Sequence, residues 1–212
     1  MNEQVIPLKK NRLIIWMFNP FMYIAGGQAL IIGLLVIVTT GLIGSLGNVH
    51  FDGVLDMHPG PVAPLWLFFA EGFIDWLSLA AVLLVAGLIM KGTSFRFIDV
   101  FGTQALARWP MLLSAAAGLP PANQRVTDEL LKMAQNPNQP LSLQPVDIAV
   151  FAAAMIVILI ALAWMVVLMY RAYAVSCNLR GAKAIISFIA ALLIAEVASK
   201  FALWPLFKII SK

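Results

Sequence analysis

The sequence predicts an all-α, polytopic membrane helix bundle with five transmembrane helices in a single membrane domain, residues 1–212, and a cytoplasmic N-terminus. Three observations predict it. Hydrophobic residues make up 62% of the chain and charged residues only 11%, against about 25% in an ordinary soluble domain, and the mean hydropathy is +0.93. Apolar stretches of about 20 residues, the length that crosses a ~30 Å hydrocarbon layer, recur along the chain. The segments between them are too short to hold a separate soluble catalytic domain.

The first stretch, 24–46, carries no charge and follows Lys9, Lys10 and Arg12. It is too long for the apolar region of a signal peptide, so it is expected to be retained. Before it, the apolar run 13–18 is expected to lie along the cytoplasmic interface until Asn19-Pro20 turns the chain inward. The second span, 64–90, carries Glu71 and Asp75, and the third, 97–119, contains Gln104, Arg108 and Pro110. The fourth, 148–170, is uncharged, and the fifth, 184–207, carries Glu196 and Lys200. Between the third and fourth, 119–146 is rich in Pro, Asn and Gln, and Thr127 begins a short helix with Leu130, Leu131 and Ala134 at helical spacing. That helix is expected to rest on the membrane surface or the bundle, or to dock a partner.

With five spans, Lys9, Lys10, Arg12, Lys91, Arg96, Arg171, Arg180 and Lys183 fall on one side, and Arg125, Lys132, Lys208 and Lys212 on the other. The positive-inside rule makes the first side cytoplasmic. Without a third crossing, Arg171, Arg180 and Lys183 would move outside, and a bare count tolerates that too. Five spans are preferred because those three residues share a short loop, where the rule is strongest, while 47–63 has no Lys or Arg.

Glu71, Asp75, Arg108, Glu196 and Lys200 stand inside spans, where each charge costs about 2.5–3.5 kcal/mol at the bilayer centre. They are therefore predicted to face one another within the bundle. At ~1.5 Å per residue, Asp75 lies about 15 Å deep, Arg108 about 17 Å and Glu196 about 18 Å, with Glu71 and Lys200 in the outer half. Glu71 and Asp75, and likewise Glu196 and Lys200, are four residues apart and share a helix face. One buried polar cluster, structural or for transport, is predicted to hold all five, with one acid more than its bases balance. Pro110 is expected to leave the carbonyl of Leu106 without its helical donor, beside Arg108.

Other polar features are less specific. His50, Asp52, Asp56 and His58 have metal-ligand chemistry, but Gly53, Pro59 and Pro61 make their segment read as a solvated turn, and no metal site is assigned. Ser78, Ser114, Ser187 and Ser199 lie in spans that hold no histidine to activate them, and no hydrolase or phosphate-binding motif is present. No catalytic residue, enzyme activity, cofactor or nucleic-acid partner is expected. Cys177 is the sole cysteine, so an intrachain disulfide is impossible. Ala25, Ala29 and Gly33, and Ala191, Ala195 and Ser199, form small-residue stripes suited to close helix contact with this chain or a second copy. Most of Trp16, Trp66, Trp109, Trp164 and Trp204 read as an aromatic belt.

Phe18-Asn19-Pro20-Phe21 before the first span, Gly60-Pro61 before the second, and the run from Tyr173 to Ala184 into the last resemble the Yip-type (Ypt/Rab-GTPase-interacting protein) membrane domain family over most of the chain. The resemblance implies five helices, a cytoplasmic N-terminus and a membrane adaptor or membrane-organising role without catalytic residues. Eukaryotic members carry a longer N-terminal region and an acidic-aromatic-Gly-Pro motif, matched here only by the looser Asp56-Met57-His58-Pro59-Gly60-Pro61. The short N-terminus is similar to the prokaryotic branch, which implies a multi-pass protein of the plasma (inner) membrane. The expected function is a non-enzymatic membrane scaffold or adaptor in contact with the lipid bilayer and with a protein partner or a second copy. The alternative is a small transporter or channel that uses the charged cluster for a proton, ion or polar substrate.

Overall fold

A computed structural model describes residues 12–90, 95–137 and 142–210 of the chain. Of the residues used to orient it, Lys9, Lys10, Lys91 and Lys212 lie outside these. The described chain is helical except for one two-stranded ribbon: α1 (Arg12–Phe18), a 3-10 turn (Pro20–Met22), α2 (Gly26–Gly47), β1 (Val49–His50), β2 (His58–Pro59), α3 (Leu65–Met90), α4 (Phe97–Leu106), α5 (Met111–Gly118), α6 (Pro121–Gln135), α7 (Pro145–Ser176) and α8 (Gly181–Ile210).

Four helices, α2, α3, α7 and α8, are long and apolar enough to cross a bilayer. They suit a multi-pass membrane protein, with large apolar residues such as Ile31, Leu35, Leu159, Ile160, Leu193 and Phe201 turned outward. The sequence places their ends well. Asn48, in the left-handed region at φ 50°, ends α2 by donating its N–H to the Gly44 carbonyl, and Pro145 opens α7 where no N–H is needed.

The segment 97–119, expected as one span, is instead two short helices, α4 and α5, joined by a tight turn. The N–H of Arg108 turns back to the Ala105 carbonyl and that of Trp109 to the Leu106 carbonyl, both at 3.2 Å. The Leu106 carbonyl that Pro110 was expected to leave free is therefore taken by a shorter 3-10 bond. The pair α4–α5 runs beside α2 in the same direction, from Gly102 against Gly26 at one end to Gly118 against Gly47 at the other. A Cβ on Gly102 would lie 2.3 Å from the Gly26 carbonyl oxygen, so the backbones touch where a side chain would separate them.

The remaining helices assemble around this pair. Gly72 of α3 packs on Ile37 and Gly41 of α2 on Phe69, which makes α2 and α3 antiparallel. α8 returns along α3 with Ala191, Ala195 and Ser199 buried, and Gly33 of α2 meets Ala105 of α4 with Ala29 buried, so both small-residue stripes serve contacts within this chain, while Ala25, just before α2, is exposed. α7 runs against α4 and α5: Gln104 donates to the Met169 carbonyl at 3.0 Å, and the Trp109 and Trp164 rings meet edge-on at 4.4 Å. Trp164 also donates its indole N–H to the Met17 carbonyl at 3.0 Å, fastening α1 to the side of α7. α6 is held by Arg125, which pairs with Asp147 in the first turn of α7 at 2.6 Å.

Residues 48–64, expected as a solvated turn, fold into a cap. Val49 pairs with Pro59 and His50 with His58 in the antiparallel ribbon, and Val49, Phe51, Val54 and Met57 are buried. The cap covers the ends of the bundle formed by the start of α3 and the second half of α8.

Candidate functional site

The five charged residues of the spans divide into a deep pair and a set that secures the cap. Glu71, on the cap-facing side of α3, is fully enclosed. It accepts the Phe51 backbone N–H at 3.0 Å on one oxygen and contacts His50 Nδ1 at 2.8 Å through the other. Glu196 of α8 accepts the Leu55 N–H at 2.7 Å. Lys200 turns to the rim, where its ammonium lies 2.5 Å from Asp56 and 3.6 Å from Glu196. Two helix carboxylates thus take backbone donors from two points of the cap.

His50 is the functional residue that sequence reasoning placed in solvent. It is 3% exposed and stacks on Phe68 with ring centroids 4.6 Å apart. Its Nε2–H donates to the Pro61 carbonyl at 2.9 Å, which leaves Nδ1 for Glu71. Gly60 makes room for the ring, since a Cβ there would lie 2.5 Å from His50 Cδ2. Burial lowers the affinity of this imidazole for its proton, but the hydrogen bond and charge of Glu71 outweigh it and raise the pKa above the usual value.

At the outer edge, His58 approaches Asp52 at 3.2 Å, and that partner lifts its pKa to about 9 against the opposing effect of burial. The ligand atoms of Asp52, Asp56 and His58 lie within 4.8 Å of one another, a spacing that suits a metal. Here the cations are already supplied: Lys200 sits on Asp56, and the raised His58 faces Asp52.

The deep pair is Asp75 of α3 and Arg108 in the turn between α4 and α5, both 0% exposed. Each lies within the electrostatic reach of the other and of Glu196. Among the described residues Arg108 makes no ion pair; its Nη1 donates to Met111 Sδ at 3.5 Å, while Nε and Nη2 have no partner. The Ser199 hydroxyl faces Asp75 but donates to the Glu196 carbonyl at 3.0 Å, which leaves both Asp75 oxygens without a hydrogen bond. The buried hydroxyls of Thr40 and Ser114 are also unpartnered. A cavity of about 10 Å³ touches Arg108, Thr40 and Met111, room for about one water molecule. The charges are therefore stacked in depth, with Glu71, Glu196 and Lys200 bound to the cap and Asp75 and Arg108 enclosed below it.

No family model, curated protein or solved structure matches the chain.

Two outcomes follow from this geometry. Arg108→Met removes the cation facing buried Asp75, and Asp75→Leu does the converse. Each is expected to destabilise the folded chain, by less than the ~3–5 kcal/mol lost when a hydrogen-bonded buried pair is broken, with the double variant losing less than the sum. Thermal or denaturant unfolding in detergent, arranged as a double-mutant cycle, measures this, and additive losses would show that the two charges do not interact. For the cap, the raised pKa of His50 means that its contribution is complete below the unfolded value of about 6.5 and is lost as pH rises through the folded value. Thiol labelling of Val54→Cys, buried in the cap, should accelerate at alkaline pH relative to exposed Val62→Cys. In Glu71→Gln it should already be fast at pH 6.

Proposed function

We propose that the chain is a non-enzymatic, five-pass integral membrane scaffold or adaptor whose charged core fixes the packing of its helices. One observation carries this reading: Asp75 and Arg108 are fully enclosed, and the cap is tied over them by two helix carboxylates. A transport site must meet water on at least one face in turn, whereas a scaffold has use for a closed core that admits a single register. Buried charges of this kind seldom add net stability, and their best attested use is to select one arrangement among many.

The fifth pass is the broken segment α4–α5. Its course beside the whole of α2, in the same direction, supports a crossing even though neither half alone is long enough. With that crossing, Arg96, Arg171, Arg180 and Lys183 fall on the cytoplasmic side with the N-terminus, and Arg125 and Lys132 fall outside. This arrangement agrees with the resemblance to prokaryotic Yip-type proteins and with a place in the plasma membrane of a bacterial-type cell. The exposed apolar residues Leu130 and Leu131 of α6, beside Asp128 and Lys132, offer a surface for a protein partner.

A second reading, a small proton- or ion-coupled transporter, is favoured by the unpartnered oxygens of Asp75 and the unpartnered Nε and Nη2 of Arg108. Such groups are costly unless a ligand meets them.

Topology and flux test the two readings. In a Cys177→Ala background, Ala182→Cys is expected to react with an impermeant maleimide only from the cytoplasmic side and Asp128→Cys only from the outside; labelling of both from one side would remove the fifth crossing. In proteoliposomes holding a pH dye, the wild type is expected to leak protons no faster than Asp75→Asn. Flux that disappears in Asp75→Asn would replace the scaffold with the transporter.

A further inference from the structure

A lateral groove of about 440 Å³ opens where the last turns of α3 and the first half of α8 part. Its walls come from Ala81, Val85 and Ile89 on α3 and from Ser187, Ala190 and Ile194 on α8. Alanines at facing positions leave the space, because larger residues there would close the helices over it. The one hydroxyl in the wall is already engaged: Ser187 donates to the Lys183 carbonyl at 2.7 Å and lies 3.0 Å from the Tyr173 hydroxyl. The groove therefore asks for an apolar occupant.

At the end where α3 finishes and α8 begins, the chemistry changes. Lys183 lies four residues before Ser187, so it shares that helix face one turn beyond the groove. It is exposed, as is Arg180 just before α8, and among the described residues neither makes an ion pair. The first turn of α8 carries no acid, and its free N–H groups add to the preference for an anion. An apolar trough about as deep as half a bilayer, ending in a basic lip, has the polarity of one molecule class that surrounds a membrane protein. We propose that the α3–α8 groove is a binding site for an anionic phospholipid, with an acyl chain along Ala81, Val85, Ala190 and Ile194 and the phosphate at Lys183. The basic residues at the lip supply the attraction that anionic head groups meet between transmembrane helices. The proposal rests on the bilayer placement proposed above, and carbonate-resistant membrane association of the full chain tests that placement separately.

Native mass spectrometry of the full chain in detergent, titrated with phosphatidylglycerol or with phosphatidylcholine of the same acyl chains, tests the site. The wild type is expected to retain phosphatidylglycerol about fivefold or more over phosphatidylcholine. Lys183→Glu should erase that preference while leaving phosphatidylcholine retention unchanged. Ala190→Trp, or Ala81→Phe from the opposite wall, should remove retention of both lipids. Leu159→Trp on the outward face of α7 should remove neither. Circular dichroism checks that each variant is folded. Equal retention of the two lipids by the wild type, or full retention by the folded groove-filling variants, would overturn the proposal. So would soluble glycerol phosphate displacing the lipid, since the lip would then be a site for a free anion.

Discussion

Everything at the capped end of this bundle depends on carboxylates of helices accepting the backbone N–H groups of a loop. Hydrocarbon offers no hydrogen bonds, so an acid in a span must find donors inside the protein. Glu71 and Glu196 sit on neighbouring antiparallel helices and take theirs from Phe51 and Leu55. Those two bonds fix a short segment with only one two-residue ribbon of its own, and they bring Val49, Phe51 and Val54 down over the helix ends. The same geometry delivers His50 to Glu71, giving a buried carboxylate an imidazole neighbour that belongs to no helix.

Below the cap, the break in the third segment does for Arg108 what the loop does for Glu71. A continuous helix at Pro110 would lose the bond to the Leu106 carbonyl and clash with it. The chain instead tightens into 3-10 bonds through Ala105, Leu106 and Arg108, and the Arg108 side chain is buried within electrostatic reach of Asp75. The helices around it approach closely because Gly26, Gly33 and Gly47 leave α2 nearly bare along the side that faces α4 and α5. Sliding α2 against α4 and α5 by one residue would put side chains where backbones now touch. Register between these helices is thus set by shape.

Much of this was legible in the sequence. The four long helices follow from apolar length, and the small-residue stripes mark their contacts because only Gly, Ala and Ser permit such approach. That Asp75 and Arg108 lie buried within electrostatic reach of each other is what counting residues along the helices led one to expect. The break at Pro110 was signalled by the proline, but its repair was not, because a 3-10 bond depends on the local path of the chain. The cap was missed for a related reason: its ribbon is too short to show alternation, and its fold is held by partners in distant helices. One clue was present in the count of charges. Three acids against two bases left a surplus, and Lys200 divides between Asp56 and Glu196, so a further basic partner was to be sought outside the spans. His50, flanked by Val49 and Phe51, is the basic residue in an apolar run nearest to them.

The cap also decides how the core can be reached. Opening the capped end would break the His50–Glu71, Phe51–Glu71 and Leu55–Glu196 contacts together, and hydrogen bonds to charged groups contribute about 1.5–3 kcal/mol each. It would also bring Val49, Phe51 and Val54 out of the interior, where each buried side chain of this size adds about 1.5–3 kcal/mol. An open state with those losses would be rare near neutral pH unless a ligand bound it far more tightly than the closed one. The unpartnered atoms of Asp75 and Arg108 pull the other way, since they would gain from water or a ligand. That gain is confined to one pair of side chains, while the losses extend along the whole cap. The balance therefore favours a core that stays shut, which is the property the proposed scaffold needs and a transporter would have to overcome.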